Sequence, residues 1–253
     1  MKKLILLFIS AFVVACSTSD NTEEPTLPPP ENIFEGNIQL WTQQAVDDFG
    51  AEQYTIVTGY VWISTNDVVS LEPLSTLTKV DRVIIEYADN LLSLEGLNNL
   101  VQVRSFSITE CQGLPNLNGL EGLTTVKPLD FSVIEWSGFK LYGNSNLQSI
   151  SALRNITVAQ GIWVRANNSL TSLDGLENIA EMPGDFLNNT SGGVIIGGDI
   201  LVGGTNQGNT SLMDLCALQT LFSNGVFNPD WYIYANNGYN PNAQNIIDGN
   251  CSL

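Results

Sequence analysis

A leucine-rich phrase recurs along this chain and constrains its fold more than any other feature. Two clear copies are Leu94–Leu100 (Leu-Glu-Gly-Leu-Asn-Asn-Leu) and Leu173–Ile179 (Leu-Asp-Gly-Leu-Glu-Asn-Ile). The first apolar residues of the six copies are Leu71, Leu94, Leu117, Ile150, Leu173 and Leu215. Successive copies therefore begin 23, 23, 33, 23 and 42 residues apart. A recurring interval of this length is typical of proteins built from stacked repeats.

The residues around the phrase predict an apolar interior shared by all copies. Positions three before, three after and six after the first apolar residue are apolar in every copy, as in Val68, Leu74 and Leu77. Upstream, segments such as Phe106-Ser107-Ile108 alternate with the period of two that is typical of strands. We therefore expect one strand per repeat and a β-rich solenoid of about seven coils with a parallel sheet along one face.

A short helix is predicted to cover the first coil of this solenoid. Thr42 is a suitable N-terminal cap, and Ala45, Val46 and Phe49 then share one helical face before Gly50 ends the helix. The end of a repeat array needs such a cover because its apolar interior would otherwise meet water.

The N-terminus predicts export and lipid anchoring. Residues 1–15 contain two lysines, an apolar stretch and a small residue, Ala15, directly before Cys16, which is the layout of a secretory signal peptide. Residues 13–16 resemble the bacterial lipobox, which implies that Cys16 is acylated and that the protein is held on a membrane by its acyl chains. An ordinary signal peptide and a retained anchor are the alternatives. The proline-rich, acidic residues 16–37 are predicted to form a flexible tether, and residues 38–253 a single domain.

The strong negative charge limits the expected partners. The chain has 26 acidic and 9 basic residues, a formal net charge of −17. Loss of the signal peptide would remove two lysines, so the mature charge would be 7 − 26 = −19. We therefore do not expect nucleic acid as a partner. Solubility at a crowded surface is the favoured interpretation. Calcium binding by carboxylates is the alternative, although no Asp-x-Asp-x-Asp-Gly loop supports it, and neither a metal nor another cofactor is expected.

Three cysteines remain if Cys16 carries lipid. An odd number in an oxidising compartment allows at most one internal pair. Cys216 and Cys251 both lie in the last coils, and we expect them to form a disulfide that holds the C-terminal end. Cys111 is then expected to be a small buried thiol.

The chain resembles the receptor L-domain-like group of leucine-rich repeat proteins. The match involves residues 40–63, the repeats around 168–176 and the ending with Cys216 and Cys251, and it spans nearly the whole predicted domain. The resemblance implies a right-handed single-stranded β-helix, a fold found in bacterial surface lipoproteins and in the extracellular parts of receptor kinases. It implies no catalytic residues. Departures are the extra residues in the third and fifth intervals, predicted as protruding insertions at 127–138 and 183–199.

Enzymatic activity is not expected. The chain has no histidine, which excludes Ser-His-Asp and Cys-His catalysis and histidine-ligated zinc. A carbohydrate-active enzyme with paired carboxylates, such as Glu72 and Glu95 on adjacent coils, is a remote alternative. The glycine-rich residues 192–199 superficially suggest a phosphate loop, but the strand–glycine–helix context is absent, so we interpret them as loop glycines.

The outward positions of two strands form a candidate binding face of Lys140, Tyr142, Trp163 and Arg165. Basic and aromatic side chains of this kind are favoured anchors for sugar rings and protein partners. The alternative is that the predicted insertions bury these rings. We therefore expect a monomeric, surface-displayed outer-membrane lipoprotein that binds a protein or glycan ligand. A structural or accessory envelope lipoprotein without a ligand is the second interpretation, and the acidic residues after Cys16, which resemble surface-export signals of diderm bacteria, favour outward over periplasmic display.

Overall fold

The computed structural model describes residues 31–127, 137–183, 193–198, 208–225 and 227–253. Its strands are β1 (Ile33–Phe34), β2 (Ile38–Gln39), β3 (Ile56–Ser64), β4 (Lys79–Glu86), β5 (Gln102–Thr109), β6 (Thr125–Val126), β7 (Gly138–Tyr142), β8 (Val158–Ala159), β9 (Gly161–Arg165), β10 (Gly193–Gly197) and β11 (Tyr232–Ala235). Its α-helices are α1 (Gln43–Ala51), α2 (Gln219–Ser223) and α3 (Ala243–Ile247). Short 3₁₀ helices cover Glu72–Leu74, Ser151–Asn155, Cys216–Leu218 and Pro229–Trp231. Within these ranges, no helix has both the length and the apolar character needed to cross a bilayer.

The strands form one parallel sheet in which each step corresponds to one repeat. Its main order is β1-β3-β4-β5-β7-β9-β10-β11, while β2 pairs with β3, and β6 pairs with β5 and β8. Ile56 pairs with Lys79, and Lys79 pairs with Gln102, so the offset between partners is 23 residues. The described part of the chain is therefore a parallel, β-rich fold with few helices, as the sequence predicts.

The sheet begins earlier in the chain than the sequence predicts. Residues 1–15, Cys16 and most of the predicted tether at 16–37 lie outside the described residues. The last tether residues are described, however, and they contain β1, in which Ile33 pairs with Ile56 of β3. Part of the segment predicted as tether is therefore part of the folded domain.

The first long interval enters the sheet between two strands of one repeat. Val103 at the start of β5 pairs with Val126 of β6, 23 residues further on. Ser105, two residues later in β5, pairs with Gly138 of β7, which is 33 residues further on. The ten additional residues therefore enter between Val126 and Gly138. The predicted insertion at 127–138 thus has the expected position in the sequence, and most of it lies outside the described residues.

The second long interval contradicts the prediction that its glycines lie in a loop. Within the predicted insertion at 183–199, the glycine-rich stretch contains strand β10, which pairs with β9 and β11. Val194 and Ile196 alternate into the core and are fully buried. Gly197 ends the strand where a Cβ atom would lie 2.0 Å from the carbonyl oxygen of Ala235. These glycines are therefore required by close backbone approach within a sheet, and the other residues of the insertion lie outside the described part.

The core consists of the apolar positions that recur with the phrase. All 24 side chains at the four positions are at most 2% exposed. Those of the first and last copies are Val68, Leu71, Leu74, Leu77, Leu212, Leu215, Leu218 and Leu221. Burial of one such side chain stabilises a fold by about 1.5–3 kcal/mol, so the recurring leucines account for a large part of the stabilising apolar burial.

The third position of the phrase has two local conformations. Three copies have glycine there, with positive φ, and at Gly96 a Cβ atom would lie 2.0 Å from the carbonyl oxygen of Leu71 in the preceding repeat. The other three copies have proline or alanine there and form 3₁₀ helices. Only glycine combines this backbone conformation with such close contact between repeats.

Helix α1 forms as the sequence predicts. Its N-terminal cap is Thr42, whose Oγ1 accepts a hydrogen bond of 3.1 Å from the backbone N–H of Ala45. Val46 and Phe49 are buried in the core. The helix continues one residue beyond Gly50, because this glycine lies inside the last turn against the neighbouring 3₁₀ helix, where a Cβ atom would clash.

A ladder of buried asparagines follows the strands of the C-terminal half. Asn144, Asn167, Asn209 and Asn237 are buried, although residues of this type were expected to mark exposed turns. Asn144 Oδ1 accepts a hydrogen bond of 2.9 Å from the N–H of Cys111, and Asn167 Oδ1 accepts one of 3.1 Å from the N–H of Asn144. The pattern continues through Asn209 and Asn237, and each Nδ2 donates to a strand carbonyl. Each amide therefore links one repeat to the next.

The C-terminal end is closed by a covalent bond. Cys216 and Cys251 form a disulfide across a sequence separation of 35 residues. The backbone N–H of Leu215 donates a hydrogen bond of 2.9 Å to the carbonyl of Cys251, so the last residues are held beside the final copy of the phrase.

Candidate functional site

Lys140, Tyr142, Trp163 and Arg165 lie on two adjacent strands and are called the central face below. Lys140 of β7 pairs with Trp163 of β9, and Tyr142 pairs with Arg165. Leu141 between them is fully buried, so the alternation of the strand turns the four side chains to the opposite side of the sheet. The structure therefore brings together the four residues that the sequence groups as a candidate binding face.

The central face combines positive charge with aromatic rings at short range. Lys140 Nζ lies 5.3 Å from the centroid of the Tyr142 ring, within the range of a cation–π interaction. Neighbouring strands are about 4.8 Å apart, which places Trp163 beside Lys140 and Arg165 beside Tyr142. All four residues are partly buried. On a chain of net charge −17, two cations and two rings at adjacent positions suit a ligand that carries both acceptor groups and an apolar surface.

Hydroxyl groups continue the central face on the next strand. Ser107 and Thr109 of β5 pair with Lys140 and Tyr142. Their hydroxyl oxygens lie 3.2 Å apart, within hydrogen-bonding distance. Because a hydroxyl can both donate and accept, this row adds polar groups of either kind beside the rings and cations.

A second aromatic group was missed by the sequence reasoning. Trp41, Tyr60 and Trp62 are called the N-terminal aromatic cluster below. Tyr60 and Trp62 alternate in β3 with the buried Val61, and Trp41 directly precedes the cap of α1. The same alternation that identifies the central face could have identified Tyr60 and Trp62. Their contact with Trp41 could not be read from spacing, because it depends on where the chain runs between β2 and α1.

Cys111 is a buried thiol at the position where the asparagine ladder begins. It is fully buried and not part of a disulfide, as the sequence predicts. Its Sγ lies 3.6 Å from the carbonyl oxygen of Ile85 and 3.4 Å from that of Thr109. Burial raises the pKa of the Cys111 thiol to about 11, although backbone hydrogen bonds with Ala88 and Thr109 partly oppose the shift. At neutral pH the group is a protonated, inaccessible thiol, not a nucleophile.

Tyr232 is the second group whose pKa is shifted. Burial of its phenol raises the pKa, and the nearby Tyr234 adds to the effect. Both this tyrosine and the thiol of Cys111 therefore keep their protons at neutral pH. Neither has the pKa near neutrality that a general base requires.

The carboxylates considered for sugar hydrolysis lie in surface turns. Glu72 and Glu95 are both exposed, and Glu95 Oε2 accepts a hydrogen bond of 2.8 Å from Asn98 Nδ2. Glu72 begins a 3₁₀ helix. Within the described ranges, no group of three or more metal-ligating side chains is found.

The fold and these two groups of side chains define a parallel β-sheet protein with aromatic residues on its outward face. No protein-family model matches the chain, and no curated protein matches it. Its function is therefore argued from the side chains themselves.

Proposed function

We propose that this chain is a non-enzymatic cell-envelope lipoprotein whose central face binds a protein or glycan ligand. The observation that carries the proposal is the pairing of Lys140 with Trp163 and of Tyr142 with Arg165 on adjacent strands. Two of the nine basic residues thus meet two aromatic rings on a strongly acidic protein. Aromatic residues and arginine are enriched among the side chains that contribute most to binding.

The fold that we propose is a β-solenoid of the right-handed single-stranded β-helix type, similar to receptor L domains. Parallel pairing at a 23-residue offset supports it, because each repeat then contacts mainly the repeat before and after it. The buried columns of the phrase and the position of α1 beside the first repeat support it further. A scaffold of this type presents a broad sheet face for ligands.

The proposed location is the outer membrane, with the domain facing outward and anchored through acylated Cys16. The signal-like residues 1–15 and the lipobox-like residues before the cysteine support export and acylation. The disulfide Cys216–Cys251 supports an extracytoplasmic compartment, since such bonds persist where the environment is oxidising. The net charge of −17 argues against nucleic acid as a ligand.

A second candidate function is that of a structural or accessory envelope lipoprotein. One observation favours it: the four side chains of the central face are only partly exposed, so part of their surface already packs within the protein. In that case the rings would stabilise the sheet, and no ligand would depend on them.

Binding assays on the full chain would distinguish the two functions. We expect Trp163→Ala and Arg165→Ala each to weaken binding at least tenfold, because truncation of an aromatic or arginine anchor typically costs 1 kcal/mol or more. Ligands would be identified by glycan array and by pull-down from the cell surface, then measured by biolayer interferometry. The control is Arg154→Ala, which removes an equal charge from an exposed turn. Unchanged affinity in both folded variants would support the accessory function.

Lipid anchoring has a separate test. Metabolic labelling with a fatty acid should modify the wild-type chain, and Cys16→Ser should abolish the labelling while the protein is still exported. Protease treatment of intact cells should remove the domain if it faces outward. Protection from protease in intact cells would contradict surface display.

A further inference from the structure

The three rings of the N-terminal aromatic cluster form a fixed group at the surface. Trp41 and Trp62 have ring centroids 6.3 Å apart and planes at 89°, and Tyr60 and Trp62 have centroids 6.2 Å apart and planes at 82°. Trp41 is 52% exposed, whereas the two strand residues are partly buried. Edge-to-face packing of this kind holds the rings in place and leaves a large aromatic surface in contact with water.

Polar groups on the next strand surround these rings. Trp62 Nε1–H donates a hydrogen bond of 3.0 Å to Glu86 Oε1 of β4, which fixes the indole. A carboxylate has acceptor capacity beyond one such bond. Arg82 of β4 lies with its Cζ 5.8 Å from the centroid of the Tyr60 ring, and its Nε lies 3.8 Å from a carboxylate oxygen of Asp81. The rings are therefore bordered by an acceptor on one side and a charge-balanced guanidinium on the other.

We infer that the N-terminal aromatic cluster is a binding site for neutral carbohydrate. A sugar ring has apolar C–H faces that can lie on the exposed indole of Trp41, and hydroxyl groups that can donate to Glu86 and accept from Arg82. The net charge of −17 opposes anionic ligands, which favours an uncharged sugar over an acidic one. A stable protein interface buries about 800 Å² on each partner, which is far more than three rings bordered by charged groups supply.

The site is independent of the central face. Its residues lie on β3, β4 and the segment before α1, whereas the central face lies on β7 and β9, with β5 between them in the sheet. A ligand at one site would therefore contact different side chains from a ligand at the other. The carbohydrate site stands whether or not the central face binds a partner.

The test uses the purified full chain in a zwitterionic detergent, because detergents with sugar headgroups would compete. An array of neutral oligosaccharides should identify a ligand, and isothermal titration calorimetry would give its affinity. We expect Trp41→Ala to weaken binding at least tenfold with little loss of stability, since its ring is half exposed. Glu86→Gln keeps an acceptor for the indole but removes a charged acceptor for sugar hydroxyls, and we expect a smaller, several-fold loss.

Two control variants make the result specific. Trp163→Ala removes the same side chain from the central face, and Tyr87→Ala removes another exposed aromatic ring, which is 57% exposed. Neither should change carbohydrate affinity. The inference is overturned if no neutral glycan binds, if Trp41→Ala leaves affinity unchanged, or if Trp163→Ala is as harmful as Trp41→Ala. Loss of a protein partner, but of no glycan, in Trp41→Ala would likewise overturn it.

Discussion

The turn after each strand is filled differently in the two halves of the sheet. In the C-terminal half it contains the asparagine ladder, from Asn144 to Asn237, whereas the equivalent residues of the two preceding repeats are Ala88 and Cys111. The thiol of Cys111 nevertheless contacts the same kinds of group as an asparagine amide, namely a strand carbonyl and a backbone N–H. The difference shows that one buried turn can be satisfied by amides that link successive repeats or by smaller groups that depend on local packing.

The largest effect is expected when the ladder is interrupted. Asn167→Ala removes the acceptor for the buried N–H of Asn144 and the donor to the carbonyl of Leu141. Each unsatisfied buried group costs about 1–3 kcal/mol, so we expect the free energy of unfolding to fall by roughly 3–5 kcal/mol. Urea denaturation followed by circular dichroism measures this loss.

The neighbouring Asn168 provides a matched control. It is exposed, and its side-chain oxygen accepts hydrogen bonds from the backbone and the hydroxyl of Thr210. Asn168→Ala should lower stability by less than about 1 kcal/mol, because water can replace these bonds. Equal losses in the two variants would mean that burial of the ladder is unimportant.

Loss of the disulfide should have the next largest effect, again in the C-terminal half. The bond closes a 35-residue separation, so the double variant Cys216→Ala, Cys251→Ala should lose about 3–4 kcal/mol by the chain-entropy estimate. Hydrogen exchange should increase first in β11 and α3. A reductant should destabilise the wild type but not the double variant, and the expectation fails if exchange rises equally in β3 and β4.

The third effect depends on pH and concerns the N-terminal half. The pKa of Cys111 is about 11 in the folded protein, above its ordinary value of 9.0, because burial opposes the thiolate. The unfolded chain therefore loses this proton first as pH rises. The stabilising contribution is complete below pH 9 and is lost as pH rises through 11, by about 2 kcal/mol. Chemical denaturation at pH 8 and pH 11 should show a steeper loss in the wild type than in Cys111→Ala, whereas Tyr232 affects both equally.

The smallest effect is expected from substitution of the thiol itself at neutral pH. Cys111→Ala removes one buried sulfur and should lower the free energy of unfolding by about 1 kcal/mol. Cys111→Asn would extend the ladder by one repeat and should be tolerated better than a change of the same size at Ala88. The comparison between the two halves would break down if Cys111→Ala were as destabilising as Asn167→Ala.

The fold was predictable wherever one chemical property recurs. The apolar positions of the phrase, the parallel sheet and the cap of α1 at Thr42 follow from periodicity and from the N-cap preference of threonine. The ladder did not follow, because the same residue type that marks an exposed turn is also suited to a buried one once every hydrogen bond is satisfied. Strand β10 was missed for a similar reason: glycine can indicate a loop or a close backbone contact, and the sequence does not distinguish them.

The candidate sites divide along the same line. Alternation within a strand and the 23-residue offset were enough to place Lys140 beside Trp163, because both depend on the regular part of the sheet. The contact between Trp41 and Trp62 depends on the irregular segment between β2 and α1, which has no repeat to follow. Spacing therefore finds sites within the array better than sites at its ends.

The positions at which the register lengthens also suggest how such a chain could be engineered. Pairing of β5 with β7 accommodates ten more residues than pairing of β4 with β5, yet the strands on both sides keep their partners. The interval between Val126 and Gly138 is thus a natural point for grafting a foreign peptide or an epitope tag. A library displayed there would vary in length and composition while the scaffold that carries it stayed the same.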